Sequence, residues 1–366
     1  IIAILTNVFR DERKFRTFLN YRGDLAQKVI DLLHMLLDCP LLEDYLKPGM
    51  LTALSRLSER SSLYPRCFTL KNVQRGESSV AGGNFGDIWK GQFRGHHVCL
   101  KVIRVNRQSR LENLMKAFSR EAILWGHVSH PNILPFYGIY RLEDSQNRFC
   151  LVSPWMVNGN INDYLIEHPE ECRLLLVSDI IAGICYLHDR DIVHGDLKGA
   201  NILVTNSGRA CLADFGLSHA VNSESLRWAS NESTIQIGGT IRWQAPELNS
   251  PTAEDSITTK EADIYAFACV CYEIFTGFIP FFEIQRDLTV MLKVMQGLKP
   301  SRPVRGTSWI SDFYLTDHIW EILEDCWQEE PFLRPSAAQV SNQLPTKLND
   351  GRPSGEWDTL PPSYFR

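Results

Sequence analysis

The stretch His194-Gly195-Asp196-Leu197-Lys198-Gly199-Ala200-Asn201 sets an acid, an ammonium group and an amide close together, just before the apolar run Ile202-Leu203-Val204. A second acid, Asp214, opens Asp214-Phe215-Gly216 after another short apolar run. Phosphoryl transfer needs a base near the acceptor hydroxyl, oxygen ligands for Mg2+ and cations over the phosphates. Asp196, Asn201, Asp214 and Lys198 supply those group types. A single Asp in a loop is usually a turn former or a helix cap, so the weight rests on the set.

Two upstream segments add to it. In His97-Val98-Cys99-Leu100-Lys101-Val102-Ile103 a strand would point Cys99, Lys101 and Ile103 to one face and Val98, Leu100 and Val102 to the other. Lys101 would then sit mid-strand on a buried face. A buried ammonium is costly unless it is paired, and Glu121 on the following helix is the candidate partner. Before this strand comes Ala81-Gly82-Gly83-Asn84-Phe85-Gly86-Asp87-Ile88. Its glycines would let backbone approach phosphate oxygens closely.

These residues need elements to hold them. Residues 1–66 read as helical, with Leu25, Val29, Leu32, Leu33, Leu36 and Leu37 at helical spacing and a second short helix over Leu51–Ser58. From Cys67 to about Val105 the pattern is that of strands. Residues 110–127 return to helical spacing, with Leu111, Leu114, Phe118 and Trp125 apolar. Beyond about residue 157 the chain reads as mainly helical to about 344. Strands first and helices later predicts an α+β fold with a sheet-rich lobe over a larger helical lobe. Residues 345–366 are rich in Pro, Gly and Ser and read as a tail, with Trp357 and Phe365 as anchors.

Composition narrows the class. The 366 residues are 44% hydrophobic and 22% charged, enough apolar content for a sizeable core. A net charge of −5 argues against a nucleic-acid-binding surface. Ten scattered cysteines form no C-x-x-C pair, which predicts thiols in a reducing, cytoplasmic compartment and no zinc site built on paired cysteines. The run Ile264–Ile284 holds Glu273, Gly277 and Pro280, so it reads as a buried helix and not a membrane span.

The order of these motifs resembles a eukaryotic protein kinase: a Gly-rich loop, Lys101, Glu121, an H-x-D-L-K-x-x-N loop, Asp214-Phe215-Gly216, and then Ala245-Pro246-Glu247. Asp263 and Arg334 match later motifs of the family. The resemblance covers about residues 67–344 and implies the bilobal protein kinase fold, with a β-rich N-lobe (about 67–156), a helical C-lobe (about 157–344) and ATP in the cleft. Gly239-Thr240-Ile241-Arg242-Trp243 resembles the tyrosine-kinase-like group of Ser/Thr kinases. Lys198 and Thr240 match serine/threonine specificity, and Val193–Ser218 resembles such kinases of mushroom-forming fungi.

The resemblance implies a role at each matching position. Lys101 would hold the α- and β-phosphates of ATP, and Glu121 would orient Lys101. Asp196 would accept the substrate hydroxyl's hydrogen bond and Lys198 would steady the transferred phosphate. Asn201 and Asp214 would hold Mg2+. Ala81, Gly83 and Gly86 fall in the phosphate loop, where the two glycines would bring amides over the phosphates. Ile88, Cys99 and Leu203 would sandwich the adenine. Ser153 falls at the gatekeeper position before the hinge Pro154-Trp155-Met156. Met156 would offer backbone hydrogen bonds to adenine, and Asn160 could reach the ribose. Asp263 would brace the catalytic loop, and Arg334 would pair with Glu247. The implied partner is a protein substrate, with a regulatory partner at the N-terminal helices as one reading of residues 1–66 and simple packing on the small lobe as the other.

Two positions depart from the family pattern. Ala81 replaces the first glycine of the phosphate loop, a methyl tolerable at negative φ and costly otherwise, which predicts weaker ATP binding and not its loss. Gly195 stands where most of the family has an Arg that pairs with a phosphorylated activation segment. This predicts activity without strong dependence on phosphorylation between Asp214 and Glu247, although Ser223, Ser225, Ser230, Ser233 and Thr234 remain possible acceptors. Two rival functions follow: a catalytically weak pseudokinase scaffold, and a small-molecule phosphotransferase of the kind that carries His-Gly-Asp in this loop. Against the first stand all five of Lys101, Glu121, Asp196, Asn201 and Asp214. Against the second stand Ala245-Pro246-Glu247, Arg334 and the long segment between Asp214 and Glu247.

Overall fold

The computed structural model describes residues 1–83, 86–102, 108–142, 148–214, 219–220, 241–249, 258–303, 315–345 and 351–353; of 81–83, 86, 108–114, 117 and 219–220 only the backbone is described. Outside these lie Asn84, Phe85, Ile103, Phe215, Gly216, Thr240, the five candidate phosphoacceptors, Trp357 and Phe365. The side chains of Leu111 and Leu114 are likewise not described.

Four helices come first: α1 (Ile2–Arg10), α2 (Glu12–Leu19), α3 (Gly23–Leu37) and α4 (Lys47–Ser61). Asp11 starts α2 by accepting the Lys14 amide, and the positive φ of Ser62 ends α4. The buried face of α3 is Ala26, Ile30, Leu33 and His34. Leu25, expected in the apolar stripe, is instead 53% exposed, because that stripe turns toward the other helices one position later. The helix expected over Leu51–Ser58 is the buried centre of the longer α4.

A five-stranded antiparallel sheet follows, in the order β1-β2-β3-β5-β4. Its strands are β1 (Gln74–Gly83), β2 (Gly86–Phe93), β3 (His96–Val102), β4 (Gly138–Arg141) and β5 (Phe149–Pro154), and helix α5 (Gln108–Gly126) leaves the sheet after β3. The alternation read in β3 holds over the described residues. Val98, Leu100 and Val102 are buried in a small core with Leu70, Phe93 and Val152, and Cys99 and Lys101 face the other way.

The remainder is mainly helical. It runs α6 (Ile161–Glu167), α7 (Arg173–His188), β6 (Ile192–Val193), β7 (Ile202–Val204), β8 (Ala210–Leu212), β9 (His219–Ala220), α8 (Lys260–Thr276), α9 (Asp287–Val294), α10 (Asp317–Cys326) and α11 (Ala337–Gln343). Helix α8 is buried from Ala262 to Thr276. Among the described residues no helix is long and apolar enough to cross a membrane. None of the ten cysteines forms a disulfide.

One continuous apolar core joins the N-terminal helices to the rest. Leu54 and Leu57 of α4 lie in the same core as Phe118 and Ala122 of α5, and the Tyr64 and Phe118 rings are 6.2 Å apart. A fully buried Leu or Phe contributes about 1.5–3 kcal/mol. The N-terminal layer is therefore packed on the helix that carries Glu121, in agreement with the packing alternative. At the other end, Arg352 donates to both carboxylate oxygens of the buried Asp179 at 2.8 and 3.1 Å. The sequence had offered aromatic anchors for the tail, not this ion pair.

Candidate active site

Four elements converge on the cleft between the sheet and the helices. Strand β3 supplies Lys101, α5 supplies Glu121, the turn after β6 supplies Asp196 and Asn201, and the end of β8 leads into Asp214. The Lys101 ammonium donates to Glu121 at 2.9 Å and to Asp214 at 2.7 Å, with its side chain 15% exposed. Burial alone would lower its pKa, but the two carboxylates outweigh burial and hold it above the ordinary lysine value. Burial pushes the Glu121 carboxyl up, against the pull of Lys101. Asp214 sits at φ 66, a left-handed conformation that costs an ordinary residue of order 1–3 kcal/mol and gathers at functional sites.

Asp196 is the centre of the second cluster. Lys198 Nζ donates to its Oδ2 at 2.8 Å, and Asn201 Nδ2 donates to the same oxygen at 2.9 Å and to the Asp196 carbonyl at 2.8 Å. With both amide protons of Asn201 spent there, its carbonyl oxygen is the group left for other work. An amide oxygen and a carboxylate, from Asn201 and Asp214, make a hard-oxygen pair that fits Mg2+.

The loop carrying Asp196 is held from below. Asp263, on α8 and 1% exposed, accepts the His194 amide at 2.8 Å, the Gly195 amide at 2.9 Å and His188 Nε2 at 3.0 Å. Burial pushes the Asp263 carboxyl up, but these donors outweigh it and hold its pKa below the ordinary value. His194 Nε2 donates to the Ala213 carbonyl at 3.1 Å, which ties this loop to the one carrying Asp214.

Glu273 is a functional support that sequence reasoning missed. It accepts the Gly199 amide at 2.8 Å, Trp243 Nε1 at 2.7 Å and Asn162 Nδ2 at 2.9 Å. Its signal in the sequence is an acid amid an otherwise apolar helix. Arg334 pairs with Glu247 through two bonds of 2.7 and 2.8 Å, the partnership expected of them.

The nucleotide-side residues divide. Ile88, Cys99 and Leu203 are half-buried, Ser153 and Met156 are buried, and Cys99 lies opposite Ser153 across the β3–β5 ladder. Burial pushes the Cys99 thiol up to about 11, so it is neutral at pH 7. Gly83 pairs with Gly86 at the end of the β1–β2 hairpin, and Ala81 lies opposite Ile88. Extended strand backbone suits alanine, which removes the strain considered for Ala81. Asn160 has another occupation: its carbonyl caps α6 by accepting the Asn162 and Asp163 amides, and its amide donates to Asp163 at 2.7 Å. These bonds engage both ends of the side chain expected near the ribose.

Gly195 also has a reason that the sequence did not reveal. Its φ is 82, where glycine is unstrained and a side chain is not. Gly195→Arg is expected to cost about 1–2 kcal/mol of stability in chemical denaturation. The residue at position 153 is a small, buried serine. An inhibitor with a bulky adenine-site substituent is expected to compete with ATP, and Ser153→Phe is expected to abolish that competition in a displacement assay.

The family model of protein tyrosine and serine/threonine kinases matches residues 75–344. The chain belongs to that family. Its members generally use ATP and Mg2+. The serine/threonine-protein kinase STY17 of Arabidopsis thaliana is 28% identical over 281 residues, 75% of this chain and 45% of that relative. STY46 of the same plant is 29% identical over 280 residues, 75% of this chain and 44% of its own length. The probable serine/threonine-protein kinase drkB of Dictyostelium discoideum is 28% identical over 313 residues, 81% of this chain and 41% of that relative. This kinase-family chain thus spans less than half the length of these curated relatives.

Proposed function

We propose that this chain is a serine/threonine protein kinase that transfers the γ-phosphoryl group of ATP to protein hydroxyls in signal transduction, in the cytoplasm. One observation carries the reading: Lys101 bridges Glu121 and Asp214 while Lys198 and Asn201 converge on one oxygen of Asp196. The first trio offers a fixed cation for the α- and β-phosphates. The second aims a carboxylate at the acceptor hydroxyl, with Lys198 beside it for the moving phosphoryl group. Asn201 and Asp214 would hold Mg2+, which when bound neutralises charge on the phosphates. The glycines of the β1–β2 hairpin would cover those phosphates, and Ile88, Cys99, Leu203, Ser153 and Met156 would enclose the adenine.

A protein acceptor is favoured over a small molecule by the surface beyond Asp196. There the Arg334–Glu247 pair fixes the segment Ala245-Pro246-Glu247, which in the family this chain resembles docks the peptide substrate. Lys198, next to the base, and the serine/threonine kinase names of the relatives support alcohol acceptors over phenols. A peptide array with free amino alcohols in parallel tests this. Labelled Ser and Thr peptides with unlabelled amino alcohols are expected; the reverse would move the chain to the small-molecule phosphotransferases.

A further inference from the structure

Three polar groups meet where the N-terminal layer touches the residue just beyond α5. His34 of α3 is buried, and its Nδ1 lies 2.9 Å from His127 Nε2. His127 Nδ1 lies 2.7 Å from the carbonyl of Ile123. Asp38, the exposed residue that ends α3, places Oδ2 at 3.3 Å from His34 Nε2. One ligand atom from each of the three lies within 4.8 Å of the others.

Counting protons shows what this array lacks. A carbonyl cannot donate, so His127 Nδ1 must carry a proton and, in a neutral ring, Nε2 presents a lone pair. If His34 Nδ1 donates to that lone pair, neutral His34 turns its other lone pair toward the Asp38 carboxylate, which is repulsive. Three contacts call for three protons, and two neutral imidazoles carry two. A third proton or a bound cation between these side chains would satisfy all three contacts.

We propose that His34, His127 and Asp38 bind a divalent cation of the zinc class, which clasps the N-terminal helices to the end of the Glu121-bearing helix. Two imidazole nitrogens and a carboxylate suit Zn2+, whereas Mg2+ favours all-oxygen sites. The bond from His127 Nδ1 to a backbone carbonyl is the outer contact that fixes tautomer and ring orientation in metal-ligating histidines. The exposed side of Asp38 provides the entry path, and a fourth ligand would be water. The site is separate from Asn201 and Asp214, which the proposed kinase reaction uses. It bears instead on the joint between the layer and α5.

The test titrates Zn2+ alone into the full chain, in the presence of millimolar Mg2+, against a chromophoric chelator. Asp38→Asn and His127→Gln are compared with the unchanged chain. Asp38 is exposed, so its variant keeps the apolar joint intact, as an unchanged metal-free Tm would verify. One equivalent of Zn2+ is expected to bind the unchanged chain and raise its Tm, with affinity falling about tenfold or more in each variant. Absence of a bound equivalent would overturn the proposal. So would equal binding by all three chains, since the ion would then sit at thiols or at the Mg2+ residues.

Discussion

Asp196→Asn is expected to lower kcat for peptide phosphorylation by about 10²–10⁴-fold, the range for loss of a positioned general base. ATP affinity is expected to stay within about twofold, because Asp196 bonds to Lys198 and Asn201 and not to the Lys101 cluster. The amide keeps the shape of the carboxylate, and its oxygen can still accept both bonds now made to Oδ2. It cannot take the acceptor's proton. Steady-state rates and a nucleotide-binding titration on the same preparation separate the two quantities. A loss in ATP affinity as large as the loss in kcat would move Asp196 from the acceptor side to the nucleotide side.

The second large effect concerns the support under that loop. Asp263→Ala is expected to cost about 3–5 kcal/mol of stability, the range for removing one partner of a buried ionic cluster. The change orphans the His194 amide, the Gly195 amide and His188 together. Asp263→Asn is expected to cost less, since its carbonyl can accept one or two of these donors, but its amide protons would face the others. Denaturant titration gives both numbers. The same carboxyl sets a pH dependence. Its folded pKa is depressed, so the stability it contributes is present above the unfolded value of about 3.9. That contribution disappears as pH falls from about 4 toward the folded value. The acid limb of the stability profile is expected to flatten in Asp263→Asn.

Much of the site was legible in the sequence because its residues sit in short, ordered motifs. Strand alternation was enough to place Lys101 opposite the face of Val98 and Leu100, and the cost of a buried ammonium was enough to seek out Glu121. The link from Lys101 to Asp214 is different. It spans 113 positions and depends on how two lobes close, which no local pattern encodes. Asn160 shows the opposite: an Asn before a helix is also a good cap, and in the structure its side chain makes that local contact. Glu273 and Arg352 act through partners distant in sequence. The helical spacing of α3 showed that one face must be buried. It could not say against what, and the answer, the end of α5, gives His34 its neighbour His127.

Gly195 changes the account of regulation. Read as a missing charge, it removes a contact to a phosphorylated segment. Read in the structure, it also fits a left-handed turn whose amide Asp263 grips at 2.9 Å. Restoring an arginine would therefore trade stability for a contact, and the loop is held by α8 without it. The Lys101–Glu121 pair is likewise already formed, with α5 backed by α4. Both observations fit a catalytic centre assembled by packing inside the chain.

The central claim is that this centre moves phosphoryl groups and does not only bind nucleotide. Single-turnover transfer from γ-labelled ATP with Mg2+ to a Ser/Thr peptide mixture, followed by phosphoamino-acid analysis, tests it most directly with Asp196→Asn in parallel. The account predicts phosphoserine and phosphothreonine from the unchanged chain and almost none from the variant. Tight ATP binding with no label transferred, or equal transfer by both chains, would contradict it.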